Sequence, residues 1–299
     1  MSELAKVALI GLGEVGSIFA GELKGLGVDR IAAFDPLLAD PSSRPSRSAS
    51  ELEVEPAASP AEAVAGACLV ICAVTAAQAL AAAKSAAGAL DQDAFFLDVN
   101  SASPGVKAEA AQLIDAGGGR YVEAAVMSSV PGKGLKTPML LGGAHAKDFL
   151  SFAGPLGLKA EVFSETVGPA SATKMCRSVM IKGVEALLAE SLIAARHYGV
   201  EATVLGSLGD LLPNPDWERH ARYMISRSLA HGKRRAEEMR EVARTVQDAG
   251  LEPWMSRAAA ERQDWAWAQN QALGDVAKEA DLERMLDRLL AAVVRRAAE

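Results

Sequence analysis

An apolar run, Val7-Ala8-Leu9-Ile10, enters the pattern Gly11-Leu12-Gly13-Glu14-Val15-Gly16 near the start of the chain. A G-x-G-x-x-G turn between a strand and a helix is the entry to a dinucleotide-binding βαβ unit, and its glycines act for separable reasons. Gly11 permits the tight turn, Gly13 lets backbone approach a pyrophosphate, and Gly16 lets the helix pack closely on the strand. The N–H groups at that helix's N-terminus then face the phosphates. The context agrees: residues 17–26 read as a helix, Gly27 ends it, and 30–34 read as a second strand that stops at Asp35. Asp35 lies 19 residues beyond Gly16, the spacing of a carboxylate that accepts hydrogen bonds from the adenosine ribose hydroxyls. Contacts to a dinucleotide are therefore expected from Gly11, Leu12, Gly13, Glu14, Val15 and Asp35.

The alternation continues. Residues 36–50 are rich in Pro, Ser and Arg and read as a loop, followed by a short segment at 52–54 and a helix over 60–65. Residues 69–74 are continuously apolar, as a strand covered on both faces requires. A helix over 76–90, a strand over 95–98, a helix over 104–116 stopped by Gly117-Gly118-Gly119, and strands over 121–126, 138–141 and 161–163 complete the first part. This order implies a mostly parallel, doubly wound sheet. Val74, Thr75 and Asn100 follow strand ends, where ligands bind in such sheets. Backbone contacts from Val74 and Thr75 to the cofactor are expected, with Asn100 near the nicotinamide ribose. Beyond Pro169 the patterns are helical, broken at Gly199, at Leu212-Pro213-Asn214-Pro215 and over 250–253, and residues 281–299 read as an amphipathic helix. The expected architecture is an α/β, Rossmann-type domain over 1–165 followed by an all-α domain over 166–299.

Composition narrows the partners. A chain of 299 residues, 50% hydrophobic and 23% charged, can bury a substantial core. Its net charge of −7 lacks the basic surface that nucleic acid demands. No apolar run is long enough for a membrane span, and no basic leader with a cleavage site opens the chain, so neither membrane nor export is expected. Cys68, Cys72 and Cys176 sit in apolar segments without paired metal-ligand spacing. That pattern fits reduced thiols in a cytoplasmic protein with no metal site.

Outside the glycine loop, the sharpest feature is Lys174-Met175-Cys176-Arg177-Ser178 followed by Lys182. Steps of four put Lys174, Ser178 and Lys182 on one helical face, with Arg177 one turn from Lys174. Such a cluster at the start of an apolar helix is costly unless it meets solvent, a carboxylate or an anionic ligand. Residues 184–195 are apolar around most of the circumference, so both faces of the helix are expected to be buried, one of them at a domain or subunit interface.

With these residues in view, the chain resembles the β-hydroxyacid dehydrogenase family, which includes 3-hydroxyisobutyrate and 6-phosphogluconate dehydrogenases. The resemblance covers nearly the whole length. It rests on the glycine loop, on Asp98-Val99-Asn100-Ser101-Ala102-Ser103-Pro104, on Glu123-Ala124-Ala125-Val126 with its following loop, and on Gly168 followed six residues later by Lys174. The run from His231 through Pro253 is more similar to a bacterial subgroup of phosphogluconate-dehydrogenase-like proteins. The resemblance implies a homodimer that transfers a hydride between NAD(P) and a small, anionic hydroxy acid or related alcohol. Lys174 would be the general acid/base, its pKa brought toward neutrality by burial or a neighbouring cation.

The same resemblance places Ser128 and Ser129 in the loop that holds the substrate carboxylate, where relatives carry Ser-Gly-Gly. Ser178 stands in place of a substrate-binding asparagine, and from their helical face Arg177 or Lys182 is expected to pair with an anionic group. Ile181 replaces the glutamate of the decarboxylating branch, which disfavours oxidative decarboxylation, and Glu237 falls where a cofactor-reaching lysine is expected. Asp35 repels a 2′-phosphate and favours NAD, whereas Arg44 and Arg47 keep NADP open. Two alternatives stand: an imine reductase, against which Lys174 argues, and a non-catalytic cofactor-binding scaffold.

Overall fold

The structure, a computed structural model, describes residues 6–210 and 216–298, so the break expected at Leu212-Pro213-Asn214-Pro215 lies outside the described residues. The chain divides into two compact units, Met1–Met175 and Cys176–Glu299.

In the first unit the described strands are β1 (Lys6–Ile10), β2 (Arg30–Phe34), β3 (Glu55–Pro56), β4 (Leu69–Cys72), β5 (Phe95–Asp98), β6 (Arg120–Val126), β7 (Met139–Gly142) and β8 (Ala160–Ser164). They form one sheet in the order β3-β2-β1-β4-β5-β6-β7-β8. Neighbours pair in parallel except β6 with β7. The exception follows from the connection: residues 127–138 contain only a 3-10 turn at Gly134–Lys136, and without a crossover helix the chain returns antiparallel.

Helices α1 (Glu14–Gly25), α2 (Arg44–Glu51), α3 (Pro60–Val64), α4 (Ala79–Ala87), α5 (Pro104–Ala116) and α6 (Ala146–Phe152) flank this sheet. β4 and β5 are buried at every position, which requires cover on both faces. Side chains alternate accordingly: Val7 and Leu9 join Phe19, Leu23 and Phe149 in one core, while Ala8 and Ile10 join Phe96, Ala83 and Ile114 in the other.

Two local expectations are corrected. The stretch read as a loop over 36–50 holds a 3-10 turn at Pro36–Ala39 and the helix α2. The Ser43 hydroxyl caps α2 by accepting from the Ser46 N–H at 3.1 Å, and Pro45 and Ala49 supply a narrow buried edge. The helix expected over 76–90 is a 3-10 turn at Ala76–Gln78 followed by α4.

Helix α7 (Pro169–His197) runs through the division between the units. The second unit continues with α8 (Glu201–Ser207), α9 (Trp217–Asp248), α10 (Trp254–Leu273) and α11 (Leu282–Ala298). Leu188 and Leu192 of α7 pack with Ile225 and Leu229 of α9, Ala266 of α10, and Met285 and Leu289 of α11. Gly232 allows α9 and α10 to approach closely, because a Cβ there would collide with the Gln263 carbonyl. The expectation that both faces of residues 184–195 are covered does not hold within one chain: Leu187 is 57% exposed. Among the described residues, no helix is long and apolar enough to cross a membrane.

Candidate functional site

The glycine loop has the geometry its sequence demands, with one redistribution of donors. Gly11 adopts φ +94, and a Cβ on it would strike the Ala73 carbonyl. A Cβ on Gly16 would strike the Gly11 carbonyl, so Gly16 is needed to close the turn. A Cβ on Gly13 meets nothing within 4 Å, and α1 has no side-chain cap. The open space therefore lies where a phosphate would approach an uncapped helix N-terminus, and the residues fit a dinucleotide.

Two of the expected donors are spent internally. The Gly11 N–H donates to the Phe34 carbonyl at 2.8 Å, and the Leu12 N–H donates to Asp35 Oδ2 at 2.9 Å. Asp35 also accepts from the Leu37 N–H through Oδ1 at 3.0 Å, so its carboxylate is fixed at the end of β2 with a lone pair left on each oxygen. Arg44 and Arg47, which kept NADP open, lie exposed on α2, and the Arg47 guanidinium donates to the Ser42 carbonyl.

At the ends of β4 and β5 lies a buried polar network. Asn100 donates through Nδ2 to Asp98 Oδ1 at 2.7 Å and to Cys72 Sγ at 3.2 Å, and its Oδ1 accepts from the Val74 N–H at 2.7 Å. The Asn100 side chain thus holds the turn rather than reaching outward, and Val74 keeps only its carbonyl for a ligand. Thr75 is exposed beside it. Lys107 of α5 pairs with Asp98 Oδ1 at 2.9 Å and donates to the Asp98 carbonyl at 2.8 Å. The Tyr121 hydroxyl donates to Asp98 Oδ2 at 2.8 Å. Burial, and secondarily the Asp98 charge, pushes the Cys72 thiol up to about 12 and the Tyr121 phenol well above its ordinary range. Both stay neutral, and neither is a nucleophile.

The loop after β6 is tied to the dinucleotide helix. Glu22 of α1 accepts from the Leu135 N–H through Oε2 at 2.7 Å. Gly134, at φ +52, leaves room for that carboxylate, since a Cβ there would collide with it. Ser128 is half-buried and Ser129 exposed, and Lys133 Nζ donates to Ser128 Oγ at 3.0 Å.

Lys174 is half-buried in the second turn of α7 and belongs to the same compact unit as the glycine loop. The cation cluster expected beyond it separates. Arg177 is exposed, whereas Ser178 and Lys182 are buried; five residues turn a helix by about 140° past full circles, too far for one face. Lys182 pairs with Glu238 Oε2 at 2.5 Å and donates to Ser178 Oγ at 3.2 Å, so the cost of burying it is met by a carboxylate of α9. Beyond it, Glu185 accepts from Arg235 and from Gln263. Burial is the largest influence on Glu185 and raises its pKa against the pull of Arg235.

Residues 6–155 match the family described as the NAD binding domain of 6-phosphogluconate dehydrogenase. The chain belongs to the β-hydroxyacid dehydrogenase family. Residues 195–266 match a second family, described as a domain of unknown function. A conserved hypothetical protein from Sinorhizobium meliloti 1021 is 40% identical, with 95% of this chain and 97% of that one covered and a TM-score of 0.71. A conserved protein of unknown function, described as structurally similar to 3-hydroxyacid dehydrogenases, is 32% identical over 87% of this chain and 97% of its own, with a TM-score of 0.65. An uncharacterized 28.5 kDa protein of Methanothermus fervidus is 28% identical over 163 residues, or 54% of this chain. The match spans 61% of that curated relative's length. Family membership makes the first unit a nicotinamide-cofactor domain.

Proposed function

We propose that the protein is an NAD-preferring oxidoreductase acting on a small hydroxy acid or related alcohol, with Lys174 exchanging the hydroxyl proton. The observation that carries this reading is the position of Lys174: a half-buried lysine at the head of α7, in the compact unit that also holds the glycine loop. A bound nicotinamide accepts or supplies the hydride. The chain's own residues do the rest. Gly13, Glu14 and Val15 offer N–H groups to the pyrophosphate, and the free lone pairs of Asp35 accept from ribose hydroxyls while its charge disfavours a 2′-phosphate. Lys174 takes the hydroxyl proton as the neutral amine in oxidation and returns it as the ammonium in reduction. Ser128, whose oxygen accepts from Lys133, keeps its own O–H to donate to a substrate carboxylate, as Ser129 does. Ser178 is held by Lys182, and exposed Arg177 is the cation left for an anionic group.

The test follows nicotinamide absorbance over a panel of short 2- and 3-hydroxy acids and their carbonyl partners, with NAD and NADP compared. The expected result is turnover of at least one hydroxy acid, with kcat/KM about tenfold higher for NAD, as a carboxylate at the Asp35 position favours. Turnover of cyclic imines but no alcohol, or tight cofactor binding with no turnover across the panel, sinks the reading.

A homodimer, in a reducing compartment such as the cytoplasm, belongs to the same proposal. Met180 and Leu187, both more than half exposed, are seven residues apart and so stand along one face of α7. Exposed apolar stripes of this kind mark subunit contacts. Light scattering is expected to give a dimer for the native chain and a monomer for Leu187→Glu; a native monomer refutes the contact.

A further inference from the structure

We propose that Glu123 is the positioning residue for Lys174, acting as a remote N-cap that sets the phase of the helix on which Lys174 sits. The inference rests on the role given to Lys174 above, but its test does not require a substrate.

Six of the seven β6 positions are buried, and Glu123 is one of them, at 0% exposure. A carboxylate in such a place needs hydrogen bonds or an opposite charge. Glu123 makes no ion pair among the described residues. Its two oxygens instead take backbone donors from the head of α7: Oε2 accepts from the Gly168 N–H and Oε1 from the Ser171 N–H, both at 2.8 Å. The positive end of the helix thus supplies the countercharge.

The arrangement replaces an ordinary cap. Gly168 occupies the N-cap position at φ +120, a conformation that favours glycine, and it has no side chain with which to cap. Pro169 follows at the first helical position, where its missing N–H is no loss. The Ser171 N–H, normally served by the N-cap side chain, is served by a residue 48 positions earlier in the chain. The sheet makes room for this contact. Gly142 of β7 lies opposite Glu123 in the ladder, and a Cβ on Gly142 would collide with Oε2.

A local Ser or Thr cap would satisfy the same N–H group without burying a charge. What the remote cap adds is a fixed angle between the first turn of α7 and β6. Lys174 stands three residues after Ser171, on the same face one turn later. Rotation of that first turn therefore carries the Lys174 amine with it.

Two variants separate positioning from folding: Glu123→Gln puts an amide donor against one of the two N–H groups, while Gly142→Ala displaces the carboxylate and keeps its charge. Hydrogen exchange of residues 168–175 is expected to accelerate about fivefold or more in both, the loss that an N-cap deletion brings. The rate at which an amine-acylating reagent modifies Lys174, relative to the other lysines, is expected to change severalfold in both variants. Its pH midpoint is expected to fall in Glu123→Gln, which removes a negative charge from the lysine's surroundings. The affinity for NADH should stay near that of the native protein. Once a substrate is in hand, the loss should fall on kcat, with KM nearly unchanged. The proposal is overturned if a folded variant shows native exchange over 168–175, or native rate and midpoint for Lys174. A native protein that turns over no hydroxy acid would remove the role of Lys174 in catalysis, yet the exchange and acylation results would still decide whether Glu123 orients it.

Discussion

Lys174→Ala is expected to lower kcat for the turned-over hydroxy acid by about 10²- to 10⁴-fold, the range that a general acid/base contributes. The affinity for NADH is expected to stay within about twofold of native, since a helix N-terminus holds phosphate through backbone N–H groups and not through this side chain. Two features make the loss large. The proton on the substrate hydroxyl must leave as the hydride leaves the adjacent carbon, and water reaches a half-buried position poorly. The side chain also belongs to a helix whose first turn is tied to β6, so no neighbouring lysine swings into its place: Lys182 is held by Glu238 and Ser178. Lys174→Arg is the informative control. A guanidinium keeps the charge but cannot release its proton in the working range, so it should restore any anion attraction and leave kcat as low as in the alanine variant. A kcat within tenfold of native for Lys174→Ala would falsify the role.

Much of this molecule was legible in its sequence because the local signals agreed. β5 and α5 fall at Phe95–Asp98 and Pro104–Ala116, as expected, because a short apolar run, a proline at the first helical turn and a glycine stop leave few alternatives. Helix α2 is hidden in the sequence because its buried edge consists of Pro45 and Ala49 alone, and the Ser and Arg residues around them look like a loop. The cap signal at Ser43 was there to be found. In the candidate site, the glycine loop could be read at the level of backbone conformation but not of donor use. Nothing in the pattern says that the Leu12 N–H is taken by Asp35, or that Asn100 turns inward to hold Val74. Such pairings join strands distant in sequence. Two buried charges did leave a trace. Lys107 interrupts the apolar stripe Ala110, Ala111 and Ile114 of α5, and Glu123 interrupts the buried run from Tyr121 to Val126 of β6. A charged side chain on a face that must be buried calls for a partner.

Lys107→Met is expected to destabilise the first unit by about 3–5 kcal/mol, because it breaks a buried ion pair and leaves a carboxylate without its countercharge. Lys107 and Asp98 are each 1% exposed, so solvent neither screens the native pair nor rescues the orphan. Methionine keeps most of the volume and the flexible stem, which confines the effect to electrostatics and two lost bonds to Asp98. For a unit of this size the corresponding fall in Tm is about 6–20 °C, measurable by calorimetry or by near-ultraviolet circular dichroism. The companion Lys107→Met with Asp98→Asn separates the two sources of loss. Asparagine retains an acceptor for the Tyr121 hydroxyl and removes the charge, and replacing both members of a buried pair costs less than removing one. The double variant should therefore recover a substantial part of the lost stability. If it is instead as unstable as the sum of the single changes, the network acts through side-chain shape and hydrogen-bond geometry, and the charge pairing between α5 and the end of β5 carries little of the energy.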